Sequence, residues 1–267
     1  MKQQSFFQSF FSKVAVDMFL VQLKWSLWFI SFILLAHIIM IIVFINTGNP
    51  HGDFLFFSHS SSKIYMLVIG IISAYGFLTF YVNQGITRKD YFIGASLAAI
   101  GLSLAIAIIA TVLTGLEYII LEVANLPIEL DRAMVDNGVE SSDNSISIFL
   151  PKAIVSSSIL VHSSNWLLSM LMYTLNILTF YAIGWFIGSG YYRFGWVAGF
   201  GFIALAMVFI AIGDLLWGTE IDEPLSNWLP FTTIDLPLYG SFLGAIVLIG
   251  IILVFIRLIT RRVTIKM

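Results

Sequence analysis

The 267 residues are 59% hydrophobic and only 10% charged, with a net charge of −2 and a mean hydropathy of +0.97. A water-soluble domain carries about 25% charged residues, so this composition excludes a chain solvated on every face. The lack of cysteine excludes disulfides and thiolate metal or redox chemistry.

The first 24 residues read as an amphipathic helix. Phe6, Phe7, Phe10, Phe11, Val14, Met18 and Val21 recur at helical intervals, with Gln3, Gln8, Ser9, Ser12, Lys13 and Asp17 largely between them. Such a helix is expected to lie in the membrane interface as an elbow. The polar residues interrupting it argue against a cleaved signal peptide.

Six apolar runs follow, at about 25–45, 64–82, 92–120, 159–187, 196–216 and 239–259. Each is close to or above the roughly 20 residues a helix needs to cross a hydrocarbon core. The expected fold is an all-α, six-helix transmembrane bundle over residues 25–267, preceded by the interfacial helix of residues 1–24. With the N-terminus inside, Lys2, Lys13, Lys24, Arg88, Lys89, Arg193, Arg257, Arg261, Arg262 and Lys266 fall on the inner side, 10 of 13 Lys and Arg. Lys63, Arg132 and Lys152 fall outside. The positive-inside rule then predicts both termini in the cytoplasm.

Between the second and third runs lies a short basic turn, Asn83, Gln84, Gly85, Ile86, Thr87, Arg88, Lys89 and Asp90. Asn83 and Gly85 suit a helix end. Thr87 suits the cap of the next helix, with Asp90 three residues on imitating a capping box. Arg88 and Lys89 are then available to acidic groups of a partner or to lipid phosphates.

On the outer side, residues 121–158 form an acidic loop, and residues 217–237 a loop rich in Trp and Pro. Glu117 and Asp214, near the outer ends of the third and fifth runs, are expected to reach interfacial water. His37 is expected to be a bonded packing residue. On the fourth run, Ser158, His162, Asn165, Ser169, Met172, Asn176 and Thr179 share one helix face. Lipid disfavours such a face, so His162, Asn165, Ser169 and Asn176 either line a path or bond to neighbouring helices. Gly94, Ala98, Gly101 and Ala105, and the pairs Gly184/Gly188, Gly195/Gly199 and Gly240/Gly244, permit close helix crossing.

No catalytic motif, metal-ligand spacing or GxxxxGK[ST] phosphate loop occurs. The layout and the segment VNQGITRKDYFIG resemble a permease subunit of the ABC-2 type of ATP-binding cassette (ABC) transporter. A GxxRKxxFxG-like sequence of that family is matched by Gly85, Arg88, Lys89, Tyr91 or Phe92, and Gly94. The resemblance implies a bacterial plasma-membrane exporter whose Asn83–Asp90 turn couples to a separate ABC ATPase. ATP and Mg would be held by that partner, none by this chain. A second permease chain and the lipid bilayer are the other expected partners, and nucleic acid is not one. The polar stripe of the fourth run maps onto no site of that family. Two alternatives remain open: a stand-alone secondary transporter, and a non-transporting membrane immunity or sensor protein.

Overall fold

A computed structural model describes residues 10–47, 52–124, 165–217 and 236–261. The described residues form helices and turns with no strand among them. In chain order these are α1 (Phe10–Thr47), α2 (Phe54–Ile72), a π-helical turn (Ser73–Phe77), α3 (Leu78–Asn83), α4 (Arg88–Val123), α5 (Trp166–Leu216) and α6 (Leu238–Thr260). The segment from α2 to α3 is one continuous rod, Phe54–Asn83. Among the described residues, five helical rods are long and apolar enough to cross a membrane. Apolar side chains such as Trp28, Phe32, Val112, Leu243 and Val254 are exposed around the outside, as suits a bundle surrounded by lipid.

Several boundaries differ from the sequence reading for physical reasons. The rod α2–α3 begins ten residues before the expected second run. Asp53 caps it, accepting the Phe56 amide proton at 3.0 Å, and so draws the polar segment around His59 into the helix. No break separates residues 10–24 from the first run, because α1 continues through Trp25. Val14 and Met18, expected to face the membrane interface, are 1% and 0% exposed. A Cβ on Gly94 would lie 2.8 Å from Val14, so that apolar face is covered by α4. Residues 1–9 lie outside the described residues, as do the acidic loop from residue 125 and residues 218–235.

The helix directions follow from their contacts. Val14 meets Gly94 and His37 meets Glu117, so α1 and α4 run parallel. The small-residue stripe of α4 mediates this contact: Gly94 faces Phe11 and Val14, and Gly101 faces Phe19. Tyr173 bonds Ser62 and Gly188 meets Ile71, so α2 and the first part of α5 are also parallel. Straight, the 51 residues of α5 would extend about 75 Å. Gly195 breaks the helix at φ 82° and ψ −176°, a conformation that a side chain disfavours. The limbs beyond the break fold together, with Phe186 against Phe202 and Phe209 at centroid distances of 5.1 and 5.5 Å. Gly199 acts here, against the Tyr191 ring, and not in a helix crossing between separate elements. α6 returns antiparallel to the second limb, Gly244 against Leu216 and Phe255 near Phe209.

The closest approach is that of α2 and α5. A Cβ on Gly184 would lie 2.0 Å from the Leu67 carbonyl oxygen, and one on Gly70 would lie 2.2 Å from that of Tyr181. Backbone meets backbone there, with no flexible side chain able to yield. Gly184→Leu should therefore destabilise the purified protein by on the order of 3 kcal/mol or prevent folding. Gly115→Ala, where nothing lies within 4 Å, should unfold at nearly the wild-type temperature in the same detergent melt.

Candidate functional site

The turn between α3 and α4 closes through local hydrogen bonds. The Gly85 amide donates to the Val82 carbonyl at 3.0 Å, and the Ile86 amide to that of Tyr81 at 3.1 Å. Gly85 has φ 85°, the left-handed geometry glycine tolerates. Thr87 caps α4, its Oγ1 accepting the Asp90 amide proton at 3.1 Å and bonding the Asp90 carboxylate at 2.8 Å. Asn83, Gln84, Gly85, Thr87 and Lys89 are exposed, while Ile86, Arg88 and Asp90 are half-buried.

Two tyrosines tie this turn to the core. Tyr81 donates to the Asp17 carboxylate of α1 at 2.6 Å. Tyr91, 1% exposed, donates to the Ser73 carbonyl at the start of the π-helical turn. Ser73 Oγ meets the Tyr181 hydroxyl at 2.6 Å, and Gln22 Nε2 donates to that hydroxyl at 3.2 Å. Four helical rods thus meet in one buried polar node one side chain away from the exposed turn.

Arg88 is tied to α6 as well as to its own turn. Its guanidinium reaches the Arg261 carbonyl at the end of α6 at 3.3 Å, and Arg257 donates back to the Arg88 carbonyl at 3.2 Å. Lys89 is the basic side chain of the turn left fully exposed.

The polar stripe of the fourth run is only partly a helix face. His162 and Ser158 lie outside the described residues. Asn165 is exposed and caps α5, accepting the Leu167 amide proton at 3.1 Å. Ser169, Met172, Asn176 and Thr179 do share a buried face. Asn176 is buried, its side chain against that of His59. Asn176 and Thr179 line a narrow crevice with Phe180, Asp214 and Trp217. Asp214 is half-buried beside this crevice.

Sequence reasoning missed the neighbours of Asn176. His59 and Lys63, one turn apart on α2, are 0% and 2% exposed. His59 lies beside Lys63 and Asn176, with the Tyr173 ring 5.1 Å from its own. Lys63 sits over the Phe180 ring at 5.5 Å. Tyr173 donates to Ser62 at 2.7 Å and meets Ser58 at 3.3 Å. The available signal was Asp53 before an apolar run, an N-cap that extends α2 backwards and buries the histidine and lysine four residues apart.

At the end remote from the turn, Glu117 does not reach water as expected. It is 9% exposed, 2.9 Å from His37 Nε2, and accepts the Phe54 amide proton at 2.7 Å. The carboxylate thereby ties α1, α2 and α4 together and sits at the positive N-terminal end of α2. Among the described residues no group of three metal-ligating side chains forms.

No family model matches this sequence, and neither a curated protein nor a solved structure is similar to it.

Glu117→Ala should cost on the order of 2–3 kcal/mol, because it strands the Phe54 amide and His37 in a buried setting. A double-mutant cycle with His37→Phe, read by thermal unfolding, should show strong non-additivity.

Proposed function

We propose that this chain is the permease subunit of an ABC transporter, an exporter of the bacterial plasma membrane driven by a separate ATPase. Counting the two limbs of α5 as separate spans gives six crossings. The ends carrying the α3–α4 turn, the Gly195 break and Arg261 then face the cytoplasm together, and both termini lie inside. A second permease chain completes the transporter, and ATP and Mg reside on the partner ATPases.

The observation that carries this reading is the build of the α3–α4 turn. It is short, internally bonded and exposed at the basic end, yet tied through Tyr81 and Tyr91 to the buried node at Ser73. A push on Gln84–Thr87 is transmitted to the π-helical turn, a widened helical stretch of the kind often found at functional sites. The resemblance of Gly85, Arg88, Lys89, Tyr91 or Phe92, and Gly94 to the ABC-2 pattern points the same way. Within this reading Lys89 meets the ATPase, whereas Arg88 braces the turn against α6. The narrow crevice at Asn176 is the proposed path-lining region, together with Ser169.

Lys89→Glu should leave membrane insertion and melting temperature unchanged while reducing recovery of a stoichiometric P-loop ATPase about tenfold on gentle purification. Normal recovery would remove the docking role of the turn. Substrate-stimulated ATPase activity should fall in parallel, and Asn176→Leu should alter substrate range without affecting ATPase recovery.

The buried His59 and Lys63 favour a second reading, a self-sufficient transporter coupled to protons, since ionisable groups within a span often mark ion pathways. In that case liposomes holding the purified chain alone should transport under a pH gradient without ATP. His59→Gln should abolish that uptake.

A further inference from the structure

We propose that the basic end of the bundle holds the phosphate of an anionic phospholipid, clamped by Arg88, Arg193 and Arg257 around the last turn of α6. Arg193 donates to the Leu258 and Ile259 carbonyls at 3.2 and 2.8 Å. Arg88 donates to the Arg261 carbonyl at 3.3 Å, and Arg257 to the Arg88 carbonyl at 3.2 Å. Arginines from α4, α5 and α6 thus bond at the last turn of α6 and at the Arg88 residue beside it.

Their recorded acceptors are neutral carbonyls. The ion pair of His37 with Glu117 lies at the other end of the bundle. Among the described residues these three arginines thus form no ion pair with a carboxylate. Each guanidinium uses few of its five donors on those carbonyls, which leaves planar, forked donors of the kind that bind phosphate. The negative end of the α6 dipole holds the arginines in place.

The surroundings favour a lipid over a soluble acidic partner. Arg193 stacks on Phe194 at 4.9 Å, and Arg257 lies over Phe92 at 5.4 Å. Directly beside them Val254, Leu258, Phe194 and Trp196 are 60%, 59%, 50% and 73% exposed. An acyl chain matches that apolar surface while its headgroup phosphate meets the arginines, and basic pockets between spans on the inner side bind such headgroups. The site depends on the chain lying in a membrane but not on the transporter reading.

The test is thermal unfolding of the detergent-purified full chain with added phosphatidylglycerol, phosphatidylcholine or inorganic phosphate. Phosphatidylglycerol should raise Tm by about 3 °C, and phosphatidylcholine and free phosphate should not. The rise should be lost in Arg193→Gln and in Arg257→Gln, and kept in Lys13→Gln, a basic residue on an exposed face of α1. Native mass spectrometry on the same samples should find phosphatidylglycerol retained on wild type and depleted at least fivefold on the arginine variants, which reads binding even if a variant melts low. An equal rise with phosphatidylcholine, or with Lys13→Gln alone abolishing it, would overturn the clamp. Retention unchanged in both arginine variants would do the same. Co-purification of an acidic protein in place of lipid, lost in those variants, would assign the arginines to a protein partner instead.

Discussion

The bundle depends on the crossing of α2 and α5, where two backbones touch with no side chains between them. Gly70, Gly184 and Gly188 make that approach possible, since any Cβ there would lie within 3 Å of the opposing chain. In lipid, exclusion of water supplies little force between helices, so van der Waals packing and hydrogen bonds must hold them. Close contact brings both. It places Tyr173 within reach of Ser58 and Ser62, and Tyr181 within reach of Ser73 and Gln22. The buried hydroxyls of Tyr173 and Tyr181 are thereby satisfied by the serines of the facing rod across the same interface that the glycines allow.

Around that crossing the molecule is polarised along its axis. One end gathers the α3–α4 turn, the Gly195 break and the arginines that surround the end of α6. The other holds the Glu117 carboxylate, His37 and the capped start of α2. Carboxylate at a helix start and guanidinium at a helix end each complement the helix dipole. The charges that orient a membrane chain therefore also close its helix ends, where backbone groups would otherwise be left unpaired.

A chemical layer lies between these ends. His59, Lys63 and Asn176 sit among Tyr173, Phe180 and the serines of α2, a costly arrangement in an apolar core that persists only where neighbours compensate it. Asn176 joins this layer to the crevice at Thr179 and Asp214. The exposed turn, the node at Ser73 and this layer follow one another along the α2–α3 rod, and the π-helical turn lies between the turn and the layer.

Much of this was legible in the sequence, because a bilayer demands long apolar runs and the runs are long. Arg88 through Ile120, the start of α6 near Tyr239, the caps at Thr87 and Gly85, and the close-packing role of Gly184 and Gly188 all follow from local chemistry. That Arg88, Arg193, Arg257 and Arg261 fall at one end of the bundle was equally readable, since the order of charges and apolar runs along the chain needs no three-dimensional information. What tertiary structure decided was partnership. No spacing in the sequence joins Glu117 to His37 and the Phe54 amide, turns Arg88 toward α6 and away from a partner, or sets His59 and Lys63 beside Asn176. Nor does periodicity tell an apolar face that meets lipid from one that meets protein, and so Val14 and Met18 read as interfacial although α4 covers them. Hydropathy records what a residue avoids; only the packing of distant segments decides what it touches.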